Sequence, residues 1–161
     1  MPTKTLQVYL NSHRSGSVVA RSVVDSLRRS GDGGLAAEMD WLRGQLAEDL
    51  STLERVMERL AVPTSRLHSV GARIAGQTAV ARMSARRAQS PAGGELLGLE
   101  TLAVGIQGKL ALWRSLRAAA PDRLGDVDLG TLIERGVTQF DRVEALRVKT
   151  AGQALVPVER Q

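Results

Sequence analysis

A chain of 161 residues with 43% hydrophobic content can bury one core without crosslinks, and the absence of cysteine removes disulfides, thiolate metal sites and cysteine nucleophiles together. Only one Phe, one Tyr and two Trp are present, so the core must be aliphatic, which favours helices over a β-sandwich. The net charge of +5 is uneven: residues 59–94 hold six arginines and no acidic residue, and +5 less six leaves −1 for everything else.

In the first predicted helix, about 3–29, Leu6, Leu10, Ala20, Val24 and Leu27 recur at threes and fours, with His13 and Ser17 filling the gap in the stripe. The GDGG at 31–34 reads as a helix-breaking turn, since the chain has neither a GxxxxGK[ST] cradle nor a GxGxxG fingerprint. A second helix, about 35–61, carries Leu35, Met39, Leu42, Leu46, Leu53 and Leu60 and is stopped by Pro63. Asp49 lies on its apolar stripe. A buried carboxylate is normally paired, and His13, Arg21 and Lys109 are the candidate partners. His13 in turn has Glu48, Asp49 and Glu100 as candidate carboxylates, with Asp49 favoured.

A connector follows over about 62–93. The third helix, about 94–119, runs through Leu99, Leu102, Ile106, Leu110, Trp113 and Leu116. Gly98, Gly105 and Gly108 make it thin-sided, and glycine costs a helix about 1 kcal/mol relative to alanine. Close approach of a neighbouring helix accounts for that cost; a ligand pocket is the sharper alternative. Lys109, Trp113 and Arg117 recur at fours, as a Trp closing the core between snorkelling cations or as a partner-binding stripe. Asp128 is placed to N-cap a fourth helix, about 128–153, bearing Leu132, Ile133, Val137, Phe140, Val143 and Leu146. Residues 1–155 form one predicted domain, and the tail 156–161 is expected to fray.

Four long helices of similar length predict an all-α bundle. The long second connection carries the chain back along it, which gives an up-down-down-up layout. A structureless connector of that length is unexpected, so residues 65–87 are read as a weak helix through Leu67, Val70, Ile74 and Ala81, with Gly71 and Gly76 opposing it. Arg73, Arg82, Arg86 and Arg87 on this crossover are candidate contacts to nucleic-acid phosphates or an anionic surface. No aromatic residue interleaves them for base stacking, and neutralisation by acidic groups of the second and fourth helices is the simpler reading. No run of about 18 apolar residues and no signal-peptide pattern occurs, so a cytoplasmic protein without a transmembrane segment is expected.

The stretch YLNSHRSGSVVA, Tyr9 to Ala20, resembles the first helix of bacterioferritins, in which a ligand Glu follows a Leu-Asn pair by six residues; that position is Ser17. ERVMERLAVP, Glu54 to Pro63, is similar to the stretch after the family's Glu-x-x-His pair, which places that pair at Gln45 and Glu48. The third-helix Glu matches Gly105, and ERGVTQFDRVEAL sets the last Glu-x-x-His at Gly136 and Gln139. The resemblance spans about two thirds of the chain. It implies a ferritin-like four-helix bundle with a partly helical crossover between the second and third helices, and a homodimer paired along the first and second.

A di-iron carboxylate site needs four inward carboxylates and usually two histidines. Of the six matched positions, Ser17, Gln45, Glu48, Gly105, Gly136 and Gln139, only Glu48 is a carboxylate. The two histidines, His13 and His68, are in neither an ExxH nor an HxxxH spacing, and Leu46 stands where the family supplies a methionine to haem. The expectation is therefore no cofactor, no assigned catalytic residue, and a structural or interaction protein that has lost the metal centre. Anion binding through the crossover is the second reading. A residual metal or ligand site built on His13, Glu48, Asp49 and Glu100 is the third.

Overall fold

The computed structural model describes residues 1–119 and 124–156, apart from the side chains of 66–70, 72 and 73. Five helices follow one another: α1 Lys4–Ser30, α2 Gly33–Arg59, α3 Arg66–Gln89, α4 Pro91–Ala119 and α5 Leu129–Leu155, with no strand among the described residues. The expectation of four helices and a partly helical connector is corrected here. Residues 66–89 form a complete helix packed against α1 and α4, and its glycines are accommodated rather than disruptive. Residues 157–161, within the predicted tail, lie outside the described set.

Four of the five starts have a chemical cause. Thr3, Asp32 and Asp128 accept hydrogen bonds from the backbone N–H three residues on, at 3.2, 2.8 and 3.0 Å, satisfying donors that the first turn leaves free. The hydrogen bonds from Thr131 also hold the Asp128 carboxyl below its ordinary pKa. The link between α3 and α4 is the single residue Ser90. Its hydroxyl accepts from Gly93 N at 3.2 Å, and Pro91 starts the helix where no N–H is needed. At the end of α2, Val62 N donates to Met57 O and Ala61 N to Glu58 O, a Schellman arrangement whose left-handed position is filled by Ala61 at φ 53° instead of glycine.

The core forms two hydrophobic clusters. One gathers Val23, Val24 and Leu27 with Leu35 to Leu46, Met83, Leu99 to Leu110 and Val143. The other gathers Leu10 with Leu53 to Val62, Leu112 to Leu116 and Leu124 to Leu132. Because α1 and α5 enter the second cluster first and α2 and α4 the first, α1 and α5 run one way and α2 and α4 the other. α3 starts beside Asn11, where Ser65 N meets the Asn11 side chain, and ends beside Leu27, so it runs with α1. α2 and α5 approach each other less closely than the other neighbours and are bridged by side chains: Arg142 holds Glu38 at 2.7 Å and lies 3.7 Å over the Trp41 ring.

The glycines divide by what surrounds them. A methyl at Gly94 would lie 2.8 Å from the Met83 carbonyl oxygen and 3.0 Å from Arg87 Cα, because α3 and α4 pack backbone to backbone beside their one-residue link. At Gly98 it would meet Met83 and Leu27 side chains at 2.6 and 2.9 Å, which matches the close approach expected from the sequence. Gly105 and Gly108 do not follow that expectation: a methyl at either meets nothing within 4 Å. Gly94→Ala should therefore lower stability by about 1–3 kcal/mol despite its better helix propensity, whereas Gly105→Ala should raise it by about 0.4–1 kcal/mol. Urea denaturation of the two variants checks the opposite signs.

Candidate functional site

Between the two hydrophobic clusters, at mid-height, lies a layer of polar groups from three helices. Asp49 of α2 is 4% exposed and sits between Leu46 and Leu53, each of which belongs to a different cluster. Lys109 of α4 reaches it, with Nζ 2.5 Å from Asp49 Oδ2. Gln139 of α5, fully buried, donates from Nε2 to the same oxygen at 3.0 Å and accepts from Lys109 Nζ through Oε1. Arg135, one turn earlier on α5, lies 3.2 Å from Asp49 Oδ1 and 3.0 Å from Glu48. Burial pushes the Lys109 ammonium below its ordinary pKa; the Asp49 charge and hydrogen bond oppose this, and Arg135 adds to it. Two of the three N–H donors of Lys109 are thus engaged, by Asp49 and Gln139.

Of the three candidate partners of Asp49, Lys109 is the one that reaches it. Arg21 is exposed, and His13 makes no ion pair among the described residues. That corrects the expectation that His13 holds the carboxylate: Asp49 has its needs met from α4 and α5, while the His13 ring packs edge-on against Tyr9 with centroids 4.7 Å apart. Burial lowers the His13 pKa, favouring the neutral ring. Ser17 lies one turn along, donating to His13 O at 3.2 Å.

Beside the layer lies a pocket of about 190 Å³ walled by α1, α2 and α4. Asp49 and Lys109 form its polar side, with His13 and Ser17 from α1, and Leu46, Leu102 and Leu112 among its apolar walls. Gly16, Gly105 and Gly108 line it without side chains, and a methyl at any of the three meets no atom within 4 Å. Trp113 also lines it; its ring is 1% exposed, and its Nε1–H is the one buried side-chain polar atom without a partner among the described residues. Trp113 and Lys109 belong to the interior, so the surface stripe with Arg117 does not form as such; Arg117 alone is exposed.

The positions implied by the bacterioferritin resemblance fall as follows. Gln139 is part of the layer, and Glu48 joins its rim through Arg135 with its side chain 60% exposed. Ser17 and Gly105 line the adjoining pocket. Gly136 is buried against Leu110, where a methyl would lie 2.7 Å from the side chain, and Gln45 is half-buried. Glu100 stands apart on the surface, 4.0 Å from Arg147, which also pairs with Glu144 at 2.7 Å. No group of three or more His, Asp or Glu able to hold a metal forms among the described residues.

On α3, Arg82 and Arg86 are exposed, whereas Arg87 pairs with Glu95 at 3.1 Å. The expected neutralisation by the second and fourth predicted helices is corrected, because α3 packs on α1 and α4 and its acidic partner comes from the start of α4. The side chains of His68 and Arg73 lie outside the described residues. No described helix is long and apolar enough to cross a membrane.

Arg135 and the clamping role of Asn11 escaped the sequence. Arg135 precedes Gln139 by four residues and so shares its face, a spacing that would have found it. Asn11 is 4% exposed and clamps the turn after α2, donating to Pro63 O at 3.0 Å and accepting from Ser65 N at 2.8 Å; no local pattern announces that role. No family model, curated protein or solved structure matches the chain.

Proposed function

We propose that this chain is a metal-free helical protein of ferritin-like layout, acting without catalysis as a structural or interaction protein in the cytoplasm. The observation that carries the reading is the Lys109 ammonium 2.5 Å from Asp49: a side-chain cation, backed by Arg135, stands at mid-height where a di-iron relative would hold metal. The two carboxylates of the layer, Asp49 and Glu48, are already balanced by Lys109 and Arg135, which leaves none to hold divalent iron. The directions of α1, α2, α4 and α5 support the layout, with α3 as a fully helical crossover. So does the gathering of Ser17, Gly105 and Gln139 around one layer. Pairing of two copies along α1 and α2 belongs to the same reading.

Elemental analysis of the purified protein should find iron, manganese and zinc well below one per chain, and adding each ion should leave Tm unchanged. Stoichiometric metal, or a metal-induced rise in Tm that disappears in Asp49→Asn, would overturn the reading. A second reading, anion binding by α3, rests on Arg82 and Arg86, which are exposed and in no ion pair among the described residues. Salt-sensitive retention on heparin that is lost in Arg82→Ala/Arg86→Ala would favour it.

A further inference from the structure

We infer that the mid-height pocket is a binding site for a small, neutral, mostly apolar molecule that carries a hydrogen-bond acceptor oxygen. This goes beyond the metal-free reading and does not rest on it, since the pocket lies beside the charge layer.

Size comes first. An apolar cavity of about 150 Å³ holds benzene, and this pocket measures about 190 Å³, enough for a substituted six-membered ring. The space is not forced by packing. Gly16 on one wall and Gly105 and Gly108 on another could each carry a methyl into open room, yet each instead leaves its helix with the least stabilising residue short of proline. Glycine at these positions keeps the pocket empty of protein.

Polarity comes second. Lys109 lines the pocket with one N–H beyond those given to Asp49 and Gln139. That group is a donor, so the ligand must accept. Its charge follows from the layer: Asp49 and Glu48 balance Lys109 and Arg135, and burial favours neutral His13, so an anionic ligand would leave an uncompensated buried charge. An aryl ketone satisfies all three requirements.

Acetophenone, ethylbenzene and benzoate are the probes, titrated calorimetrically into the full chain. Acetophenone should bind saturably at one site. Ethylbenzene, similar in shape but without the oxygen, should bind about fivefold to tenfold more weakly, and benzoate more weakly than acetophenone. Asp49→Leu/Lys109→Met, which removes the donor together with its buried partner, should lose that preference for acetophenone over ethylbenzene. Gly105→Leu should abolish binding with helical circular dichroism retained; Gly16→Leu, which fills the pocket from α1, serves if that variant does not fold. Absence of saturable acetophenone binding up to its solubility limit would overturn the proposal, as would unchanged affinity in both filled variants. Benzoate binding tighter than acetophenone would overturn the neutral class, and equal binding by ethylbenzene would overturn the acceptor.

Discussion

Lys109→Met is expected to lower the free energy of unfolding by about 3–5 kcal/mol, a fall in Tm of about 6–20 °C for a chain of this size. The substitution preserves most of the side-chain volume, so lost packing is not the cause. It removes the ammonium 2.5 Å from a carboxylate that is 4% exposed, leaving Asp49 to Gln139 and to an Arg135 shared with Glu48. The companion variant Asp49→Leu/Lys109→Met removes both charges and should be close to wild type or more stable by up to about 4 kcal/mol. Urea denaturation of the two singles and the double forms a double-mutant cycle. A loss below about 1 kcal/mol in Lys109→Met would mean that Arg135 alone balances Asp49 and that the layer is not coupled. The pH dependence has a definite sign. The folded state holds the Lys109 proton less tightly than the unfolded chain, whose value is near the ordinary 10.5. This group's contribution to stability therefore rises with pH from its lowered folded value up to that figure, and Lys109→Met should flatten that alkaline limb.

Asn11→Ala should cost about 2–6 kcal/mol, because two backbone groups lose their partner and each costs about 1–3 kcal/mol when left unmet. Pro63 O and Ser65 N are fixed by one amide reaching from α1, across more than fifty residues of sequence. The effect should be local as well as global. Hydrogen exchange of amides around the turn from α2 to α3 should accelerate, while amides in the middle of α4 and α5 should change only with overall stability. Uniform acceleration throughout would remove the clamp role. Asn11→Asp separates the two bonds, since it can still accept from Ser65 N but cannot donate to Pro63 O.

The helical segments were legible because their apolar residues recur at threes and fours and their ends carry chemical signals. Asp128 caps as its sequence suggests, and Pro63 follows the end of α2. The crossover was harder to read: α3 is studded with Gly71 and Gly76, has few large apolar residues, and takes its stability from contact with α1 and α4 rather than from a strong stripe. Gly76 is a buried point in that contact, where a methyl would lie 2.9 Å from the Ser22 hydroxyl. For the site, the need of Asp49 for a partner was readable from one residue on an apolar stripe, and Lys109 was among the candidates. Gln139 was singled out only through the bacterioferritin resemblance, and its hydrogen bonding to Asp49 and Lys109 depends on helix rotation, which a single sequence does not encode locally. The glycines show the same limit. Gly98 and Gly105 look alike in the sequence, yet one is wedged against two helices and the other borders open space.

The polar layer also places the two indoles on opposite sides of itself. Trp41 packs against the cluster built from the ends of α1 and α5 and the start of α2, while Trp113 is at the heart of the other. Each half of the core therefore carries its own fluorescent reporter. Trp41→Phe and Trp113→Phe proteins, unfolded side by side, read the two halves separately. Coincident midpoints would make the Asp49–Lys109 bridge a coupler that keeps the bundle one cooperative unit, and separated midpoints would make it the boundary at which the bundle divides.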